Sequence, residues 1–322
     1  MKIFVTRRIP ECGLKLLKKE LKVDISPHDR PLRKREIIEG IRGKDGLICL
    51  LTDIIDKEII YSEPKLKMIA NYAVGYDNVD LDAATKKGIP VSNTPGVLTD
   101  ATAEMAWGLL FSVARRIVEA DKFTRAGKFI GWAPMLMLGQ DISNKTLGVV
   151  GAGRIGTAMA LKSKGFNMKI LYVSEHINKT LEQELNAKKV ELSELISKSD
   201  YISLHVPLTE KTHHLIDEKE LKMMKKTAII INTSRGPVIN ENALADALKK
   251  KWIFGAGLDV YEHEPKITEK LKKLDNVVLQ PHSASATFNS RNNMASMVAE
   301  NMINGLNGKV PPNCVNKEVF KE

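Results

Sequence analysis

The sequence predicts an α/β protein built from two doubly wound parallel-sheet domains. Short apolar segments alternate with amphipathic ones along nearly all of its 322 residues. A turn-forming cluster at residues 93–96, Asn-Thr-Pro-Gly, separates two such series. Alternating strands and helices favour parallel pairing with helices on both faces of the sheet. A chain of this length also suits two domains better than one.

The first series predicts a sheet in the N-terminal domain. Its strands are expected at residues 3–5, 23–25, 46–51, 68–70 and 90–92. Amphipathic segments at residues 11–21 and 33–41 predict helices between the first strands. After the turn cluster, a single long helix is expected from about residue 100 to 126. Asp100 is its predicted N-cap, because an aspartate side chain accepts hydrogen bonds from the first free N–H groups of a helix.

The second series predicts another parallel sheet. Its strands are expected at residues 147–150, 169–173, 201–205, 228–232, 255–259 and 277–280. The third to fifth are nearly continuous apolar runs, which are typical of strands covered on both faces. A last helix, at about residues 287–306, comes too late to belong to this sheet. We therefore expect one discontinuous domain, residues 1–98 with 287–322, and a second domain of residues 99–286.

The most informative motif is a glycine-rich turn that follows the first strand of the second series. Gly151 allows a tight turn, Gly153 lets the backbone approach a pyrophosphate, and Gly156 lets the following helix pack on the strand. The N-terminus of that helix offers free N–H groups to phosphates. The motif therefore predicts a Rossmann-type dinucleotide site. Its expected cofactor-binding residues are Gly151, Gly153, Arg154, Ile155 and Gly156.

The cofactor is predicted to be NAD, with NADP possible. The second strand is followed by Ser174 and Glu175, roughly twenty residues after Gly156, where the chain reaches the adenosine ribose. A carboxylate there accepts hydrogen bonds from ribose hydroxyls and repels a 2′-phosphate, whereas Ser174 can tolerate one. The set of expected cofactor-binding residues also includes four that follow the third and fourth strands: Val206, Pro207, Thr233 and Ser234.

Three residues with reactive side chains follow the last strands of the second domain, where open parallel sheets bind ligands. Arg235 can clamp a carboxylate with two parallel N–H bonds. His282 can exchange a proton with a hydroxyl or carbonyl group. Glu264 beside it would favour the protonated imidazole. With a nicotinamide cofactor, these residues predict oxidation of a 2-hydroxy acid or reduction of a 2-keto acid.

Several motifs also carry a family resemblance. The chain resembles the D-isomer-specific 2-hydroxyacid dehydrogenases over nearly its whole length, and it is most similar to the glyoxylate and hydroxypyruvate reductase branch. The resemblance implies a Rossmann-type nucleotide domain inserted into a flavodoxin-like substrate domain. The matching segments are residues 1–10, residues 74–80, residues 151–156, Ser234-Arg235-Gly236, residues 257–260, Glu264-Pro265 and Pro281-His282.

The resemblance assigns roles to the reactive side chains. It implies that Arg235 binds the substrate carboxylate and carbonyl, that His282 is the general acid during reduction, and that Glu264 is the partner of His282. It also implies that Asp259 meets the nicotinamide amide. One departure is visible: the family usually has a glycine at the position of Ala284, and the added methyl group could narrow the nicotinamide pocket.

The resemblance implies further substrate contacts and an oligomeric state. Backbone N–H groups of Val74 and Gly75 would hold the substrate carboxylate from the substrate domain. Trp132 resembles a residue that enters the active site of the neighbouring subunit in this branch. A homodimer is therefore expected.

Composition argues against several other classes. The net charge of +10 comes from dispersed lysines, and only 5% of residues are aromatic, so no nucleic-acid surface is expected. No apolar run approaches the roughly 18 residues of a membrane span. The three cysteines lack metal-ligand spacing, and the adjacent His213 and His214 rarely suit one ion, so no metal site is expected. Scattered cysteines and a strand directly after Met1 suggest a cytoplasmic protein.

Two alternatives use the same fold and nucleotide site. One is an NAD(H)-sensing binding protein of the corepressor type, which would regulate assembly with partners. The other is a formate or phosphite dehydrogenase, which would need a pocket for a much smaller anion.

Overall fold

The computed structural model describes residues 1–320, which divide into two compact units. One unit comprises Met1–Leu98 and the chain from Ala286 onward, and the other comprises Thr99–Ser285. We call them the five-stranded unit and the seven-stranded unit, after their sheets. No helix in the described part of the chain is both long and apolar enough to cross a bilayer.

The elements alternate between strand and helix along most of the chain. The strands are β1 (Lys2–Val5), β2 (Lys22–Ile25), β3 (Gly46–Leu50), β4 (Met68–Tyr72), β5 (Val91–Ser92), β6 (Thr146–Val150), β7 (Lys169–Val173), β8 (Lys188–Lys189), β9 (Tyr201–Leu204), β10 (Ile229–Asn232), β11 (Gly255–Leu258) and β12 (Val277–Leu279). The helices are α1 (Glu11–Glu20), α2 (Lys34–Ile41), α3 (Lys57–Ser62), α4 (Leu81–Lys86), α5 (Thr99–Ala114), α6 (Ile117–Arg125), α7 (Arg154–Leu161), α8 (Lys179–Leu185), α9 (Leu192–Lys198), α10 (Glu218–Met223), α11 (Glu241–Lys249), α12 (Glu269–Lys272) and α13 (Phe288–Leu306). Short 3-10 helices lie at Lys162–Phe166, Gly236–Val238 and Lys317–Phe320.

The five-stranded sheet is parallel throughout, in the order β2-β1-β3-β4-β5. This is the flavodoxin-like order, in which the connections reverse direction between β1 and β3. Helices α1 and α13 pack against each other in this unit. A Cβ on Gly13 would lie 2.4 Å from the carbonyl oxygen of Ala295, so only glycine allows the two helices to come this close.

The seven-stranded sheet is also parallel, in the order β12-β11-β10-β9-β6-β7-β8. The connections reverse direction at β6, which pairs with β7 on one side and β9 on the other. Ligands bind at such switch points, beyond the carboxyl ends of the strands. Two parallel α/β sheets confirm the predicted fold class.

The prediction of one helix over residues 100–126 was wrong. The chain breaks between α5 and α6, where Arg116 adopts a left-handed conformation with φ of 52°. The carbonyl of Ala114 accepts a hydrogen bond from the backbone N–H of Gln140 at 2.8 Å, which ends α5 there. The guanidinium of Arg116 pairs with Glu119 at 2.6 Å and stabilises the bend. Helix α5 is mostly buried, whereas α6 has no buried residue.

Two smaller differences concern the start of α5 and a short edge strand. Asp100 lies inside the first turn of α5 and forms an ion pair with Lys162 at 2.9 Å, so it is not the N-cap. Strand β8 was not predicted, because its two residues are exposed lysines at the sheet edge. The second boundary between the units falls between Ser285 and Ala286.

Candidate active site

The glycine turn joins β6 to α7 at the switch point of the seven-stranded sheet. Gly151 has φ of 95°, and a Cβ there would lie 2.7 Å from the carbonyl carbon of His205. A Cβ on Gly156 would lie 2.0 Å from the carbonyl oxygen of Gly151, whereas a Cβ on Gly153 would meet nothing within 4 Å. The turn is therefore tightly packed on the protein side and open beside Gly153. This shape fits a pyrophosphate at the start of α7, where Arg154 and Ile155 lie.

The segment after β7 lies at the same edge of the sheet, because β6 and β7 are parallel neighbours. It contains Ser174 and the exposed Glu175. Asn178 fixes the end of this segment: its side-chain amide donates to the carbonyl of Ala152 at 2.9 Å and to Thr157 Oγ1 at 2.7 Å. Sequence reasoning missed Asn178, although an asparagine before α8 is a recognisable N-cap.

The segment after β9 faces the glycine turn and begins with His205, followed by Val206 and Pro207. Ser203 Oγ and His205 Nε2 lie 2.8 Å apart and share a hydrogen bond. Burial lowers the pKa of His205 to about 4, so its imidazole is neutral at physiological pH. This histidine was not predicted as part of the site.

Arg235 is presented by a turn that Asn232 organises. The buried Asn232 amide donates to the carbonyl of Arg235 at 2.9 Å, and its oxygen accepts from the N–H and hydroxyl of Ser234. A Cβ on Gly236 would lie 1.9 Å from the backbone of Tyr261. The turn is therefore pressed against the segment that follows β11. Asn232 is a second residue that sequence reasoning missed.

Asp259 anchors the turn that carries His282. Its fully buried carboxylate accepts hydrogen bonds from the backbone N–H groups of Ser283 at 2.7 Å and Ala284 at 2.8 Å. Burial raises the pKa of Asp259, and these two N–H groups partly oppose that shift. His282 itself has φ of 53°, a left-handed conformation that the two bonds help to hold. The structure thus connects Asp259 to the position of His282.

Glu264 and His282 form a direct pair. His282 Nδ1 lies 2.8 Å from one oxygen of Glu264, and the other oxygen accepts the backbone N–H of Tyr261 at 3.0 Å. Partial burial raises the pKa of Glu264, but the hydrogen bond and charge of His282, the N–H of Tyr261 and the charge of Arg235 hold it below its usual range. These contacts with the ionised Glu264 stabilise the folded protein at neutral pH. That stabilisation is lost as the pH falls through the lowered pKa of Glu264. Since Nδ1 is engaged, Nε2 is the nitrogen left to exchange a proton with a ligand.

The remaining expected residues belong to other segments of the chain. Val74 and Gly75 follow β4 in the five-stranded unit, where their carbonyls accept the side-chain amides of Asn93 and Asn71. Trp132 is 85% exposed. It belongs to an apolar segment whose exposed members are Phe129, Ile130, Trp132, Met135, Leu136 and Leu138. Among residues 1–320, no cluster of three or more His, Cys, Asp or Glu residues could hold a metal ion.

Comparison with known families identifies the seven-stranded unit. Residues 107–284 match the family described as D-isomer specific 2-hydroxyacid dehydrogenase, NAD binding domain. The chain belongs to this family. The resemblance inferred from the motifs is therefore confirmed, and the protein is an NAD(P)-dependent oxidoreductase of the D-2-hydroxyacid dehydrogenases. The open turn beside Gly153 agrees with this cofactor.

Similar proteins extend along the whole chain. It is 53% identical to a glyoxylate reductase from Thermococcus litoralis, over 99% of this chain and 98% of that protein. It is 52% identical to a glyoxylate reductase from Korarchaeum cryptofilum, over 99% and 97%. A solved NADPH-dependent glyoxylate/hydroxypyruvate reductase from Sinorhizobium meliloti, in complex with NADP and malonate, is 28% identical and covers 100% of this chain and 98% of its own, with a TM-score of 0.89.

Proposed function

We propose that this protein is a glyoxylate reductase that also accepts hydroxypyruvate and forms the D-2-hydroxy acid. The observation that carries the proposal is the hydrogen bond of 2.8 Å between Glu264 and His282. Arg235 lies close enough for its positive charge to lower the pKa of Glu264. The names of the T. litoralis and K. cryptofilum relatives support glyoxylate as substrate. The S. meliloti structure supports hydroxypyruvate. These relatives do not favour NAD(H) sensing or formate or phosphite oxidation.

Each residue of the group has a proposed task. Arg235 holds the substrate carboxylate with its planar fork and orients the carbonyl. His282 gives the proton at Nε2 to the carbonyl oxygen as it becomes a hydroxyl. Glu264 orients the imidazole and stabilises its protonated form. A bound nicotinamide dinucleotide would supply the hydride.

The substrate contacts expected elsewhere in the chain stay part of the proposal. The five-stranded unit is the proposed substrate domain, in which the N–H groups of Val74 and Gly75 bind the carboxylate. The proposed assembly is a cytoplasmic homodimer. Its support is the exposed apolar segment around Trp132, which would be covered by a second copy of the chain.

The proposed cofactor contacts follow the edge of the seven-stranded sheet. The glycine turn binds the pyrophosphate, and Glu175 binds the adenosine ribose. Asp259 meets the nicotinamide amide. The other proposed contacts are Arg154, Ile155, Ser174, Val206, Pro207, Thr233 and Ser234. With a carboxylate at the ribose, we propose that NADH is preferred over NADPH.

The test is a steady-state screen of glyoxylate, hydroxypyruvate, pyruvate and larger 2-keto acids with NADH and NADPH. We expect turnover of the two smallest acids by the wild type. Arg235→Ala should lower kcat/KM about a hundredfold or more, because a lost charge-assisted fork costs about 2–4 kcal/mol. Arg235→Lys should recover little, since an ammonium does not reproduce the fork. An alanine variant with near wild-type kcat/KM would refute the assignment of Arg235.

A further inference from the structure

The loop that carries Glu264 is held at both ends by Glu241, the first residue of α11. The Glu241 side chain is 3% exposed. One of its oxygens accepts the backbone N–H of Glu262 at 2.8 Å. The other accepts the backbone N–H of Thr268 at 3.2 Å and its hydroxyl at 2.5 Å. A single carboxylate therefore joins residues 262 and 268, on either side of Glu264.

The side chain of Glu262 contacts Glu241 in turn and also contacts His214. Its carboxylate accepts the backbone N–H of Glu241 at 3.2 Å and lies 2.7 Å from His214 Nε2. The backbone N–H of His214 in turn donates to the carbonyl of Pro237 at 2.7 Å. These hydrogen bonds link the start of α11, the Glu264 loop, His214 and the segment that follows Arg235.

Polar contacts, and not apolar packing, determine the position of this loop. His263, Pro265 and Lys266 are exposed, and Ile267 is the one hydrophobic residue of 262–268 that packs against the core. A buried carboxylate is costly unless its oxygens are hydrogen bonded. Both Glu241 oxygens are bonded, to the two ends of the loop. Among residues 1–320, the side-chain hydrogen bonds of Glu241 go to Glu262 and Thr268 alone.

We propose that Glu241 is a positioning residue for acid–base catalysis: by clamping residues 262 and 268, it keeps Glu264 within hydrogen-bonding distance of His282. The inference rests on the proposed function, because it requires that Glu264 act on His282. Glu241 has no hydrogen bond to His282, so its effect passes through the loop. The titratable and charged groups that interact with Glu264 are His282, Arg235, Asp259 and Tyr261, and Asp259 also interacts with His282.

The experiment compares the pH dependence of 2-keto acid reduction in wild type, Glu264→Gln and Glu241→Gln. Glutamine keeps the shape of Glu241 but replaces one accepting oxygen with an NH2 group. That group would face an N–H or O–H donor, so at least one hydrogen bond of the clamp would be lost. Glu264→Gln should move the basic limb of the profile to lower pH, because it removes a negative charge next to His282. Glu241→Gln should move the limb in the same direction by a smaller amount, because Glu264 keeps its charge but is held less firmly beside His282. Its kcat should fall about tenfold, since a displacement near 1 Å can cost up to a hundredfold.

Asp246→Asn is the matched control. It removes a carboxylate from the same helix, where Asp246 pairs with Lys270 at 3.2 Å and is partly exposed. This variant should leave the basic limb where it is in the wild type. Thr268→Val, which removes one hydroxyl donor from the clamp, should give a smaller shift in the same direction as Glu241→Gln. It provides the same test if changes at Glu241 prevent folding.

The double variant Glu241→Gln/Glu264→Gln separates positioning from a general loss of stability. If Glu241 acts through Glu264, the basic limb of the double variant should lie where it lies in Glu264→Gln. A lowered Tm with an unmoved basic limb in Glu241→Gln and Thr268→Val would overturn the inference and leave the proposed function intact. An unmoved limb in Glu264→Gln would overturn the Glu264–His282 assignment and this inference with it.

Discussion

The carboxyl edge of the seven-stranded sheet contains two regions that are built in different ways. At the switch point after β6, the glycine turn offers backbone N–H groups, and its shape depends on the absence of side chains. After β10, β11 and β12, the reactive group consists of side chains held by a network of hydrogen bonds. In the glycine turn, a substitution that adds side-chain atoms should disturb packing or cofactor binding. In the side-chain region, a substitution that removes a reactive group should lower activity.

The largest effect is expected in the side-chain region. His282→Ala should lower the rate of reduction by roughly 10²–10⁴, the usual effect of losing a general acid. The matched control is His263→Ala, which removes an exposed histidine from the same loop as Glu264 and should stay near wild type. The measurement is kcat with saturating NADH. A small loss for His282→Ala, or an equal loss for His263→Ala, would contradict the role of His282.

The two regions also differ in how far the sequence predicts them. The glycine turn is contiguous, so its residues, its strand and its helix follow from one short motif. The side-chain group is assembled from three strand ends, and strand ends alone placed Arg235, Glu264 and His282 at one edge. The pairing of Glu264 with His282 was expected, but the contacts that hold the turns carrying these residues were not predictable. Asn232 and Glu241 act through hydrogen bonds that depend on the exact path of turns, which periodicity does not reveal.

Helix α5 shows the same limit within the fold. Its residues are apolar nearly all round and continue into a helix-forming segment, so the pattern predicts no break. At the break, residues 139–140 pack against the end of α5, and the backbone N–H of Gln140 donates a hydrogen bond to the carbonyl of Ala114. A contact between residues this far apart in sequence leaves no local signal.

The glycine turn permits a second, intermediate test. Gly156→Ala should lower the Tm by several degrees, because its Cβ would meet a backbone oxygen at 2.0 Å and overpacking costs about 1–3 kcal/mol. Gly153→Ala has open space around its Cβ and ordinary φ, so its Tm should stay close to wild type. It should nevertheless weaken NADH binding, because the methyl group would occupy the approach to the pyrophosphate. Equal thermal shifts and unchanged NADH affinity for Gly153→Ala would place the pyrophosphate elsewhere.

The smallest expected effect lies at the ribose end of the same turn. Glu175 is exposed and follows β7, so replacing it should alter cofactor choice and leave the fold intact. If repulsion of a 2′-phosphate costs about 1.4 kcal/mol, wild type should prefer NADH over NADPH about tenfold in kcat/KM. Glu175→Arg should reverse or abolish that preference, because a guanidinium attracts the phosphate. Glu184→Arg, on the neighbouring helix α8, reverses the same charge at a half-exposed residue that pairs with Lys164 at 2.6 Å, and should leave the ratio unchanged. NADPH preferred by the wild type would contradict the proposed preference, and an unaltered ratio in Glu175→Arg would show that Glu175 does not reach the ribose.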